Sequence, residues 1–406
     1  MRNRPTFSKS TNLAALMLLA WALVPGAYAA TDQETIAALR AELTTLTQRL
    51  DALENKSTVP VTSYAAPEQT QAAPALPSWV ERLALKGDFR FRHESFDVEN
   101  REDRHRQRIR ARTELTAAIN DTVTVGFGLA TGSGDPISTN QTLGDGASSK
   151  SIALDLAYAS WNAPVEGLVV TGGKFKNPFF RAGGNGLIWD GDLRPEGASV
   201  VFKSGLLFAS GLGLLLDEDS GGQDAFLLGG QFGVNTTLGN GELIAGVGYY
   251  HFNDTEDRDV FFDGDPRGNR TNPDGTYLSG FELFEGFAEY SFPLNDSELT
   301  LFADYVQNLG ADDYDTGYAL GAKLKQNNWS MGWAYQDLEA DAVLGTLTDS
   351  DFIGGGTDGK GHILQAGYSL SKRIGLRGTL FLNDRNVDFG DEEDFKRLML
   401  DISFKY

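Results

Sequence analysis

From Trp79 to the last residue, apolar and polar side chains alternate with a period near two, and this alternation limits the fold more than any other feature of the chain. At the start, Leu83, Leu85, Gly87, Phe89 and Phe91 alternate with Ala84, Lys86, Asp88, Arg90 and Arg92. At the end, Leu398, Leu400, Ile402, Phe404 and Tyr406 alternate with Met399, Asp401, Ser403 and Lys405. A strand sends successive side chains to opposite faces, so one face is apolar and the other charged. Strands are expected near 83–95, 104–119, 122–131, 152–162, 168–175, 197–203, 206–216, 224–237, 242–252, 279–292, 298–308, 314–326, 328–338, 360–371, 375–385 and 395–406, a count of about sixteen.

The connections alternate as well. Short ones such as Asn120-Asp121, Ser204-Gly205, Gly239-Asn240-Gly241 and Asn327-Asn328 carry tight-turn chemistry, and long ones at 132–151, 176–196, 253–278 and 339–359 lie between them. A soluble sandwich or propeller does not explain an outward apolar face that continues through every strand. Lipid tolerates strands only where the sheet closes and leaves no unpaired edge. The expected fold is therefore all-β: a closed antiparallel transmembrane β-barrel of about sixteen strands with short turns on one rim and long loops on the other. Trp161, Tyr249, Tyr290, Trp329 and Trp333 fall near strand ends, where a membrane girdle places aromatics.

The first 79 residues follow other rules. Residues 1–29 read as a signal peptide, with Arg2, Arg4 and Lys9 ahead of the apolar run Leu13 to Val24 and the cleavage signal Ala27-Tyr28-Ala29, so the mature chain is expected to begin at Ala30. Residues 30–56 carry the heptad Ile36, Leu39, Leu43, Leu46, Leu50 and Leu53, expected as a short coiled-coil helix that joins protomers, with a lone amphipathic helix as the alternative. Residues 57–79, with Pro60, Pro67, Pro74 and Pro77, form a linker, and 80–406 form the barrel.

A formal net charge of -21 argues against nucleic acid, which needs a basic face. With no cysteine, disulfides, thiolate nucleophiles and iron-sulfur clusters are excluded. Gly354-x-x-x-x-Gly359-Lys360 imitates a phosphate loop, but Gly361 stands where Ser or Thr would hold magnesium, and a strand follows. The acidic run Asp254, Glu256, Asp257, Asp259, Asp263, Asp265 and Asp274 matches no calcium loop and reads as solvated charge, as do Asp391, Glu392, Glu393 and Asp394. His93, His105, His251 and His362 are scattered over separate strands. No catalytic set, metal or cofactor is expected.

Several stretches carry a resemblance to a known family. They are the arginine-rich second strand from Arg104 to Arg112, the segment Ala130-Thr131-Gly132-Ser133-Gly134-Asp135-Pro136, the stretch Gly172 to Phe179 and the stretch Ile188 to Gly197, together with the early heptad. In these the chain resembles the putative porin family of proteobacterial outer membranes, over nearly its whole mature length. The resemblance implies passive diffusion of small polar solutes or ions through a water-filled lumen and names no substrate. A structural or adhesin barrel is the alternative, and a barrel hydrolase a weaker one. The implied partners are outer-membrane lipid and lipopolysaccharide, the barrel assembly machinery, which reads a terminal aromatic signal at Phe404 and Tyr406, and two further copies in a homotrimer. Tyr406 departs from the Phe commonest at barrel C-termini.

Parity sends Lys86, Arg90 and Arg92 inward beside Arg104, Arg106, Arg108, Arg110 and Arg112, because an arginine at the bilayer midplane costs about 2–4 kcal/mol. This is the candidate pore-lining wall, with pairing to inward Asp88, Glu94 and Glu114 as the competing account. The loop after the fifth strand folds inward in sixteen-stranded porins, which makes Asp190, Asp192 and Glu196 candidate constriction acids facing the arginines.

Overall fold

The computed structural model describes residues 80–406, with Gln48 alone before them. The signal peptide, the heptad and the linker expected over residues 1–79 lie outside the described residues. After a short 3-10 turn, Val80–Arg82, the chain runs through β1 (Leu83–Val98), β2 (Arg104–Ala118), β3 (Val123–Thr131), β4 (Ile152–Asn162), β5 (Leu168–Lys174), β6 (Glu196–Ser204), β7 (Leu207–Asp217) and β8 (Ala225–Leu238). It continues through β9 (Gly241–Phe252), β10 (Phe281–Leu294), β11 (Ser297–Asn308), β12 (Thr316–Gln326), β13 (Trp329–Leu338), β14 (Gly359–Ser369), β15 (Ile374–Arg385) and β16 (Glu393–Lys405). Each strand pairs antiparallel with its neighbours in sequence, and β1 pairs with β16 to close the ring. The fold is a closed sixteen-stranded antiparallel barrel.

The alternation read from the sequence has a direct physical outcome. Along β16, Phe395, Arg397, Met399 and Asp401 are buried, whereas Leu398, Leu400 and Phe404 are exposed on the side a membrane would cover. The seam runs in register from Asp88↔Lys405 to Val98↔Phe395. Reciprocal backbone bonds between Gly87 and Tyr406, both 3.1 Å, stitch the last residue into it.

Seven short turns lie on one rim, among them 205–206, 239–240, 295–296 and 327–328, and eight connections lie on the other. Three of those eight are long loops that turn into the barrel: 175–195, 253–280 and 339–358. Their apolar side chains, including Leu187, Ile188, Trp189, Tyr277, Val343 and Leu344, pack on Leu212, Leu227, Tyr250, Leu283 and Val306 of β7 to β11 in one buried cluster. One flank of the lumen is therefore filled, and the flank built by β1, β2, β15 and β16 is mainly polar, apart from a small apolar patch at Phe381 and Met399. β3 is shorter than β2, and the two-residue strand Gln141–Thr142 completes the wall by pairing with Arg108 and Ile109.

Candidate functional site

The β1–β2 hairpin sets the polar flank. Its register places Lys86 opposite Glu114, Asp88 opposite Arg112, Arg90 opposite Arg110, Arg92 opposite Arg108, Glu94 opposite Arg106 and Phe96 opposite Arg104. Side chains directly opposite on one face stand about 4.5–5.5 Å apart at Cβ, so the arginines form one continuous ladder. Arg104 and Arg106 lie over the Phe96 ring, 4.9 Å away in the case of Arg106.

Packed guanidinium groups repel unless anions intervene, and the intervening anions come from β1, β2, β16 and the inward loops. Asp88 of β1 accepts from Arg110 at 2.9 Å and Arg112 at 2.7 Å. Glu94 takes Arg106, Arg397 at 2.8 Å and, more loosely, Arg108 at 3.7 Å. Asp401 of β16 binds Arg92 through both oxygens, at 2.7 and 2.9 Å. Glu114 is shared by Lys86, Lys176 and the Tyr158 hydroxyl. The pairing that the sequence offers as the competing account, with Asp88, Glu94 and Glu114, is present.

Loop 175–195 supplies Asp192, which accepts from Arg112 at 2.8 Å and lies 3.5 Å from Arg110. Burial raises the Asp192 carboxyl, but Arg110, Arg112, Arg194 and Arg90 outweigh this and hold it below the usual carboxylate range. The acid meets its arginines directly and not across water. The other two candidate acids stand elsewhere. Asp190 is buried behind Asp192, where it accepts the Ser350 amide at 2.9 Å; burial, then Asp349 and Asp192, push its carboxyl well up. Glu196 is the first residue of β6 and pairs with Lys174 at 2.6 Å.

Participants absent from the sequence-derived set are Arg397, Asp401, Asp351, Asp155, Arg194, Lys176 and Tyr158. Arg397 and Asp401 have the inward parity of Met399 between them, so the signal was present once the last strand is placed beside the first. Asp155 reaches Arg194 at 3.4 Å because a bulge opposite Gly128 and Leu129 turns both Asp155 and Leu156 inward, which breaks the period of two.

Below the ladder a cavity of about 650 Å³ opens toward the short-turn rim, lined among others by Arg90, Arg110, Asp401, Arg373, Arg377 and Lys405. Among the described residues no cluster of three or more His, Asp or Glu is arranged to hold a metal ion. The histidines sit apart from the ladder in two aromatic groups and one isolated position: His93 stacks on His105 at 6.1 Å, His362 lies beside Trp333 and Tyr335, and His251 is exposed on β9.

A sequence profile of the family described as putative porin matches residues 97–264 and 314–406. Among solved structures, OprB of Pseudomonas putida superposes with a TM-score of 0.58 at 12% identity, over 80% of this chain and 95% of its own. OmpF of Salmonella typhi, in a structure with daunomycin, superposes with a TM-score of 0.50 at 13% identity, over 80% of this chain and 97% of its own. At such identities the two likenesses speak for the fold alone. No curated protein matches the chain.

Proposed function

The chain belongs to the putative porin family, an outer-membrane barrel for passive diffusion, and on that premise we propose that its lumen passes small polar solutes along the arginine ladder of β1 and β2. The observation that carries this reading is the placement of Asp192. An inward loop holds a carboxylate directly against Arg110 and Arg112, so polar groups of both signs border the space beside the filled flank. Charges of both signs along a polar passage orient dipolar solutes and slow apolar ones. With basic side chains Arg90, Arg106 and Arg108 also at the passage, the preference is for anions over cations.

The remainder of the reading concerns assembly. We further propose, from the heptad in the sequence, that residues 30–56 lie in the periplasm and join three copies, that Phe404 and Tyr406 present the aromatic signal to the assembly machinery, and that the exposed apolar face meets lipid and lipopolysaccharide. A channel of this kind works without chemistry on its solute.

The test is planar-bilayer recording of the refolded protein in a salt gradient. Ohmic conductance with an anion-side reversal potential is expected, and replacing Arg106, Arg108 and Arg110 by Ser should move that potential toward cations. A triple variant with unchanged conductance and reversal potential would show that these arginines do not line the passage. Absence of solute flux in liposomes would return the structural or adhesin barrel to first place.

A further inference from the structure

Loop 339–358 reads in the sequence as one more long outer loop, yet most of it is buried inside the barrel: Ala340, Asp341, Ala342, Val343, Leu344 and Thr348 are each almost fully enclosed. Two of its anchorages flank Asp351. It is knitted to loop 175–195 by Asp190 N to Leu347 O at 2.8 Å, Asp349 N to Gly186 O at 3.1 Å and the Thr348 hydroxyl to Gly186 O at 2.8 Å. Beyond these contacts Phe352 and Ile353 pack on Phe381 of β15 and Met399 of β16. Between the two anchorages lies Asp351. Its Oδ1 accepts from Arg397 at 2.8 Å, its Oδ2 from Arg92 at 3.1 Å, and its carbonyl oxygen from Arg397 at 3.1 Å.

The charges here do not balance. Arg90, Arg92, Arg106, Arg108 and Arg397 share Glu94, Asp351 and Asp401, five guanidinium groups against three carboxylates. The Nε atoms of Arg90 and Arg108 are buried without a partner. The three anions are not equally open to a passing solute. The Glu94 side chain is 0% exposed and that of Asp401 5%, whereas that of Asp351 is 24% exposed. A solute therefore meets a net positive surface on which Asp351 is the most exposed of the three carboxylates.

We propose that Asp351, delivered by a second inward loop, is a specificity-determining residue of the lumen: it moderates the arginine field, so that small singly charged anions such as carboxylates pass without being trapped. The inference rests on the reading of the chain as a pore. A field of five guanidinium groups with only two enclosed counter-ions would hold an oxyanion through charge-assisted, bidentate bonds. One accessible carboxylate lowers that hold at the place where the solute passes, and conduction requires binding weak enough to release.

The experiment compares wild type with Asp351→Asn, Asp351→Glu and Asp358→Asn, using bilayer reversal potentials in a potassium chloride gradient and single-channel block by added acetate. Asp358 belongs to the same loop but binds the Asp388 amide at 2.9 Å, so it controls for simple loss of a charge. Asp351→Asn should raise the anion-to-cation permeability ratio by about twofold or more and strengthen acetate block. Asp351→Glu should restore the wild-type ratio, and Asp358→Asn should leave it unchanged. A conducting wild type whose ratio is the same in Asp351→Asn overturns this inference alone, as does an equal shift in Asp358→Asn. A wild type with no ohmic conductance overturns the pore reading and this inference together.

Discussion

The Trp189 indole stands edge-on to the Tyr250 ring, with 5.0 Å between centroids and 83° between planes. Phe179 packs on both rings, at 5.6 Å from Trp189 and 5.0 Å from Tyr250. Through this contact an outer loop is held to the inner wall of β9, and the loop in turn holds Asp192 against the arginines. Replacing Trp189 by Ala empties the centre of the buried cluster and should cost about 3–5 kcal/mol. The expected signature is twofold: a lower unfolding midpoint in detergent, and a larger conductance with faster entry of bulky solutes in liposome swelling. A destabilised barrel with unchanged conductance would mean that the loop keeps its place without this anchor.

A second prediction concerns pH. Burial, then Asp351, raise the Asp349 carboxyl to about 6, and burial, then Asp349 and Asp192, raise Asp190. A carboxyl with a raised folded-state pKa stabilises the folded state at low pH, and that contribution fades as pH climbs from the unfolded value near 3.8 through the folded one. The neighbouring Asp192 and Asp351 are lowered, because arginines overcome the upward push of burial, so their stabilisation is lost only below pH about 4. Between about pH 4 and 7 the interlock of the two inward loops should therefore loosen as pH rises. Denaturant midpoints across that window should fall in wild type and fall less in Asp349→Asn. Asp388, raised to about 6 by burial and then by Asp358, contributes with the same sign and accounts for a remaining slope.

The third prediction bears on assembly. If Leu43, Leu46 and Leu50 form the seam between protomers, changing all three to Asn should dissociate the detergent-extracted oligomer while each barrel keeps its strand content. Sedimentation and circular dichroism read the two outcomes separately. An oligomer that survives the triple change would place the contacts that hold it on the barrel itself.

The strands were legible because each half-turn of the chain reports on one of two solvents. At Leu83 to Arg92 a slip of one residue would put Lys86, Arg90 and Arg92 into lipid, so the pattern admits one register. The inward face of the ladder followed from the same rule. The interior of the loops did not, since a loop has no period. A different signal was present there: Leu187-Ile188-Trp189 and Ala342-Val343-Leu344 are apolar runs inside loops, and such runs mark burial. Read that way, loop 339–358 would have been turned inward beside the loop after the fifth strand, and Asp351 with it. Glu196 was grouped with the loop because strand ends are read to within two or three residues, and it lies at such an end.

Arg92 and Asp401 bind through two bonds across the seam, yet 309 residues separate them along the chain. Bringing such distant points together costs on the order of 5 kcal/mol in chain entropy before any bond forms. The first hairpin is the earliest part of the barrel to be synthesised, and it carries a guanidinium whose bidentate partner arrives on the last strand. An unclosed sheet with that charge buried has little to gain over a disordered chain. Closure is thus a late event that rewards all strands together, and a chain that stops short of β16 leaves Arg92 without its bidentate partner and two sheet edges open to aggregation.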